Sequence, residues 1–436
     1  MGVQSLNNLI ELYRYKYKKL FTLYTIMSDE AILFANNLSY KTPMPTSVTV
    51  DRVLKRQYFQ NTRYDQNQTA VCVFNTGTDY VDSRNSALVM KVRVNGTANF
   101  ECSWGSGSGA NILRNMRIYH RTGVCYSNVQ RLNLWRKTTD RYVESGNWFD
   151  TVGALMGYNQ TPNAISNIVS GANEVTVVIP LDHVHPFFNP ESKVFLPSQM
   201  ASGLRVEIDL ANFAEALVED TGSVGEVTSY SVEEIYFETM NITLQDSAQA
   251  SLNTVSAKQA LEYVYKDIFT SQNTAPSLTT AVNIDINKAV SFADHVFAIV
   301  QDTASLNSVV LDSFDADYRA AQWQYILGSN YYPSNVKVSD DRVAYKNALI
   351  AYDKLKHSDK PTDVRLQDFN TTEGIYAVSL ERDTALALSQ SPINNSRSLR
   401  FEITFNTAPA EEITTTIFLS YLTSSRATLT SARIDI

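Results

Sequence analysis

Little in this 436-residue chain is suited to covalent or metal chemistry. Its three cysteines, Cys72, Cys102 and Cys125, are an odd number, which argues against a disulfide framework and for folding in a reducing compartment. Five histidines leave few candidates for a catalytic base. No run of about 18 apolar residues occurs, so no transmembrane helix is expected. Positive charge is short as well. A net charge of −8 argues against the body of the fold wrapping nucleic acid, whose affinity rests on neutralised phosphates, so any genome contact must be local. Arg14, Lys16, Lys18 and Lys19 interrupt the only apolar stretch near the start, which excludes a signal peptide of the usual form. Without one, the sequons at Asn67, Asn95, Asn159, Asn241, Asn370 and Asn394 read as by-products of an Asn- and Thr-rich composition.

What is abundant is aromatic and β-forming. With 24 Tyr, 19 Phe and only 16 Gly, the composition favours pleated, half-buried surfaces over long helices. An organising pattern recurs: Ile179-Pro180-Leu181 and then Leu204-Arg205-Val206-Glu207-Ile208 are echoed by Val378-Ser379-Leu380 and Leu399-Arg400-Phe401-Glu402-Ile403. Each copy is preceded by a strand and a helix. In the first, residues 115–121 read as a strand, and Leu132, Trp135, Thr139 and Tyr142 recur at helical spacing over 128–145. In the second, residues 322–327 read as a strand ending at Gly328; Ser339 is the expected N-cap of a helix whose face carries Tyr345, Leu349, Tyr352 and Leu355.

Further strands are expected at 71–74, 88–94, 99–104, 175–179, 204–210 and 235–244, with Asn95-Gly96 as a hairpin turn and Gly105 to Gly109 as a flexible loop. The second unit adds 261–269, 280–286, 296–300, 375–380, 399–405, 414–422 and a tail strand over 427–436. The fold class is therefore all-β: two tandem eight-stranded jelly rolls with short helical insertions. The domains are a basic arm and linker over 1–49, a first roll over 50–245, a polar junction over 246–256 and a second roll over 257–436. The arm alternates Tyr and Lys from Tyr13 to Lys19, Met27 resembles a second translation start, and Pro43 and Pro45 mark an extended linker.

One cluster looks metal-binding: His183-x-His185 followed by Glu191. Two alternate histidines and a carboxylate are how cupins, also jelly rolls, hold a transition metal. Here Val177 stands where that pattern needs glycine, the next histidine is His295 in the other unit, and Pro186 would break a ligand-bearing strand. Corner packing is the better reading, and neither a metal nor a cofactor is expected. Ser, His and Asp all occur, but nothing in the sequence places them together.

The chain resembles the double jelly-roll major capsid proteins of double-stranded DNA viruses, the lineage of tectiviruses, adenoviruses, virophages and polinton-like viruses. The resemblance lies in Ile179-Pro180-Leu181, Pro186-Phe187-Phe188, Leu196-Pro197 and Leu204 to Ile208, and in Gln324 to Ser329, Tyr332-Pro333, Val378 to Arg382 and Leu399 to Ile403. It implies a non-enzymatic homotrimer forming a low pseudo-hexameric tile of an icosahedral shell. Its implied partners are neighbouring capsomers, penton and minor capsid proteins. The implied place is the virion, after folding in the host cytoplasm. Arg14, Lys16, Lys18 and Lys19 are then interior-facing contacts to the genome or an inner membrane. The alternatives are a two-domain cupin-like metalloenzyme and a carbohydrate-binding jelly-roll module.

Overall fold

A computed structural model describes residues 49–435, apart from 98, 106, 159–167, 192–193, 220–224, 259–260, 304–318, 356–360, 372, 383–389 and 428–431. Arg14, Lys16, Lys18 and Lys19 lie outside the described residues.

The first half supplies eight principal strands: β1 (Thr49–Tyr58), β2 (Thr69–Val73), β3 (Tyr80–Gly96), β4 (Leu113–Tyr119), β5 (Cys125–Val129), β6 (Glu174–Pro180), β7 (Arg205–Leu210) and β8 (Val227–Leu244). They form two sheets, ordered β1-β8-β3-β6 and β2-β7-β4-β5. The second half supplies β9 (Leu261–Ala275), β10 (Ala281–Ile286), β11 (Val290–Asp302), β12 (Ala320–Leu327), β13 (Asn330–Tyr332), β14 (Tyr376–Ser379), β15 (Leu399–Phe405) and β16 (Ile413–Ala427). Their sheets run β9-β16-β11-β14 and β10-β15-β12-β13, which is the first pattern with every strand number raised by eight. All pairings are antiparallel. Two facing four-stranded sheets in this winding are a jelly roll, and the chain contains two.

The recurring motif is the same strand in each roll. In β7, Val206, Ile208 and Leu210 point into the core while Arg205, Glu207 and Asp209 point out; in β15, Leu399, Phe401, Ile403 and Phe405 point in while Arg400 and Glu402 point out. A period of two is what a sheet with one face on the core requires. Arg205 and Arg400 sit on equivalent strands, between β2 and β4 in one roll and between β10 and β12 in the other. Their outward charges pair locally: Arg117 meets Glu207 at 3.1 Å, and Arg400 meets Asp285 at 2.7 Å.

Helix α1 (Leu132–Val143) follows β5, and helix α3 (Asp341–Ala351) follows β13 at the same point of the second roll; α2 (Asp246–Lys258) joins the rolls. Several expectations need correction. Asp340, and not Ser339, caps α3, accepting from the Arg342 and Val343 amides. Leu355 lies beyond the helix and is exposed. The stretch read as a polar junction forms the helix α2, whose Ala, Leu, Gln and Lys residues are helix formers that no Gly or Pro interrupts.

Asn95-Gly96 does not turn a hairpin. It closes β3 still paired to β8, and the strand Glu101–Ser103 belongs to a small third sheet with Val218–Glu219 and Ile168–Val169. Gly96 is there because a Cβ would stand 2.6 Å from the Glu226 carbonyl oxygen. The glycine loop after Trp104 is packed: Gly107, Ser108 and Gly109 are buried, and a Cβ on Gly109 would stand 2.5 Å from Val177 Cγ1. Close approach, and not a turn or flexibility, requires glycine in both places.

Candidate functional interface

The two rolls meet along a seam built from β5, α1 and the corner after β6 on one side and β9, α3 and the loop before β14 on the other. At the corner, β6 ends at Pro180, a helical turn Leu181–Val184 follows, and Pro186–Phe188 forms a single 3₁₀ turn whose three residues are buried. Phe187 sits in an aromatic nest, with ring centroids 5.4 Å from Tyr126, 5.4 Å from Tyr263 and 4.9 Å from Tyr265. Burying tyrosine requires a partner for its hydroxyl. Tyr263 donates to the Phe187 carbonyl at 2.8 Å and Tyr265 to the Tyr126 carbonyl at 2.7 Å, so the polar ends of β9 tie to the backbone of the first roll. Thr270 donates to the Gln130 carbonyl at 2.9 Å, and the Glu191 amide donates to the Val264 carbonyl at 3.1 Å.

Helix α1 is buried on nearly every side, charged residues included. Its partners come from distant segments. Arg141 pairs with Asp363 at 2.5 Å, Lys137 lies 3.9 Å from Glu373, Tyr142 donates to the Glu373 carbonyl at 2.7 Å, and the Tyr142 ring stacks on Tyr352 at 5.3 Å. On its other side Asp140 accepts from Arg136 and from the Tyr158 hydroxyl. Burial alone would raise the Asp140 carboxyl, but the Arg136 guanidinium and His183 outweigh it and hold it below its ordinary value.

The residues read as a possible metal cluster have separate partners. His183 is on the helical turn, against Arg136 and 3.4 Å from Asp140, with Trp148 beside its ring. His185 has both nitrogens engaged: Nδ1 accepts from the Phe187 amide at 3.1 Å, and Nε2 stands 3.3 Å from Ser127 Oγ. Glu191 faces Lys266 at 3.6 Å. The strand ends before the histidines, so they never alternate on one face. Among the described residues no group of three or more His, Cys, Asp or Glu side chains is placed to hold a metal.

The structure does gather a serine, a histidine and an aspartate that the sequence gave no reason to connect. Ser127 of β5 donates to Asp267 of β9, and Tyr421 donates to the other Asp267 oxygen at 2.8 Å. Because His185 Nδ1 accepts, its proton is on Nε2 and is donated to Ser127. The relay therefore runs histidine to serine to aspartate, whereas nucleophile activation needs the imidazole to accept the serine proton. It fits a polar latch across the seam, at the edge of a cleft of about 330 Å³ lined by Cys125, Asp267, Lys288 and Tyr421. Burial pushes the Asp267 carboxyl up, against the pull of its two hydroxyl donors.

Burial also drives the His185 imidazole from its ordinary 6.5 down to about 3. The histidine is neutral in the folded chain and takes up a proton on unfolding below pH 6.5. Stability is therefore expected to fall between pH 6.5 and 3, by about 1.4 kcal/mol for each pH unit from this group in mid-window. Denaturant titrations from pH 7 to 4 should show a shallower acid loss for His185→Gln than for the unaltered chain. Equal acid slopes would contradict the assignment.

No known sequence family matches the chain, and no curated protein matches it in sequence. Solved structures do match in shape. The PBCV-1 virus capsid aligns at TM-score 0.60 and 12% identity over 91% of this chain and 99% of that one. The Faustovirus major capsid protein aligns at 0.57 and 8% over 89% and 92%, and the Sputnik virophage at 0.56 and 11% over 91% of each chain. At such identities the likeness establishes the fold: this chain is a double jelly roll of the kind those shells contain.

Proposed function

We propose that this chain is a non-enzymatic major capsid protein whose closed trimers tile an icosahedral shell. The observation that carries the reading is the repetition of one roll, strand for strand, across nearly the whole chain, with the same span matched in capsid structures. Two similar rolls per chain give a trimer six similar bodies around its axis, which fits a pseudo-hexagonal tile. In this reading residues 50–245 and 257–436 are the two domains and 246–256 joins them. The partners are further trimers, penton and minor capsid proteins; the chain folds in the host cytoplasm and resides in the virion. The cupin-like and carbohydrate-binding alternatives have no observation in their favour.

Sizing with light scattering checks the assembly: three times the chain mass, or larger closed assemblies, is expected. A monomer at high concentration under every salt condition would count against the proposal.

The basic arm is assigned to the inner side of the shell, where Arg14, Lys16, Lys18 and Lys19 meet phosphates of the genome or of a lipid leaflet. Flexible basic segments gain affinity by counterion release without needing a fixed fold. Protease added to intact particles should leave the arm uncut. Cleavage from outside an unbroken shell would remove the interior assignment, and mass spectrometry finding no peptide before Met27 would remove the arm itself.

A further inference from the structure

The cleft at the seam holds two opposite charges that do not pair with each other, and their placement defines what can fill it. Its volume is about 330 Å³, and its walls come from both rolls: Cys125, Tyr126 and Ser127 of β5 on one side, and on the other Asp267 and Phe269 of β9, Lys288 of the turn between β10 and β11, and Tyr421 of β16. Sites for small molecules run from about 300 to 1,000 Å³, so this one suits a short ligand.

The negative pole is Asp267. The residue is 7% exposed, and its carboxylate accepts from the Ser127 and Tyr421 hydroxyls and from the Ile268 amide. All three donors are neutral. Among the described residues no cation stands within 4.0 Å of it. Hydrogen bonds satisfy its lone pairs, but a buried carboxylate keeps a desolvation cost that an opposite charge best offsets.

The positive pole is Lys288, which is half-buried. Its ammonium lies 5.4 Å from the Tyr421 ring centroid and 5.9 Å from that of Phe269, so aromatic faces hold it. Among the described residues no carboxylate stands within 4.0 Å of it either. Tyr421 spans the two poles, with its hydroxyl on Asp267 and its ring under Lys288. A lone amine entering the cleft is repelled by Lys288, and a lone carboxylate by Asp267. Only a molecule that carries both charges is attracted at both ends.

We infer that this cleft binds a small zwitterion of the amino-acid class, its ammonium on Asp267 and its carboxylate on Lys288. The methylene stem lies against the Tyr421 and Phe269 rings. Because the walls belong to both rolls, an occupant adds to the seam and stabilises the folded chain by mass action. The inference stands apart from the capsid reading: it concerns what ties the two rolls of one chain together, whatever the chain builds.

Calorimetric titration and thermal unfolding of the full chain at pH 7 test it, with glycine and γ-aminobutyrate as probes. At least one of the two should raise the unfolding midpoint by about 2–3 °C at saturation, whereas butylamine and butyrate, each with a single charge, should not. Lys288→Met keeps an apolar stem over the rings and removes the charge; it should leave the ligand-free midpoint in place and weaken binding about tenfold, the usual worth of one charge-assisted contact. Of the three cysteines only Cys125 is exposed, so a bound zwitterion should also slow its alkylation by iodoacetamide. Absence of binding by both zwitterions, or equal effects from the singly charged controls, would overturn the inference. So would undiminished binding to Lys288→Met, or a raised midpoint without protection of Cys125, which would place the ligand elsewhere.

Discussion

A Phe187→Ala chain is expected to lose about 3–5 kcal/mol of stability and to melt in two transitions instead of one. The ring is fully buried at the centre of the seam, within 5.4 Å of Tyr126, Tyr263 and Tyr265 and 5.3 Å from Phe188. Truncation removes the transfer free energy of the ring and leaves a void in the seam between the two sheet pairs, so relaxation is expected to part the rolls before either unfolds. Phe187→Leu, which fills much of the volume, should cost less than half as much and preserve a single transition. Calorimetry with parallel guanidinium titration reads both quantities. One unshifted transition for the alanine variant would mean that the corner does not hold the rolls together.

The second large effect is expected at Asp140. The carboxylate is completely buried and accepts from the Arg136 guanidinium and the Tyr158 hydroxyl, with His183 beside it. Asp140→Ala strands a buried guanidinium and a buried hydroxyl, for which about 3–5 kcal/mol is the usual loss when one partner of a buried pair is removed. Asp140→Asn retains an acceptor and the side-chain volume but not the charge, and should fall between. Adding Arg136→Met to Asp140→Ala should recover part of the loss, because the uncompensated charge goes with it. If the double variant is as unstable as the sum of the two single ones, the groups are not coupled as the geometry requires. Chemical denaturation of the four proteins at pH 7 supplies the cycle.

The strands carrying Arg205 and Arg400 were legible because alternation of apolar and charged residues is a local property of a half-buried strand. Helices α1 and α3 were legible from spacing, since in α1 Leu132, Trp135 and Tyr142 fall on one turn-matched stripe, whereas α2 was read only as a polar junction. What α1 touches was not legible: Arg141 and Asp363, or Tyr142 and Glu373, are brought together only when the second roll docks. The metal-like reading of His183 and His185 assumed a strand, and the chain leaves the strand at Pro180, so a period of two no longer applies. Asn95-Gly96 misled for a related reason. Gly96 answers to the approach of the Glu226 backbone, more than a hundred residues away in sequence, and not to a local turn. The Ser127, His185 and Asp267 latch spans both rolls and leaves no local pattern in the sequence.

Electron cryomicroscopy of the purified assembly, reconstructed without imposed symmetry, tests the central claim most directly. Six roll-sized densities around a three-fold axis, with each chain supplying two adjacent ones, is the expected result. A two-fold dimer, an open filament or isolated single chains would contradict it.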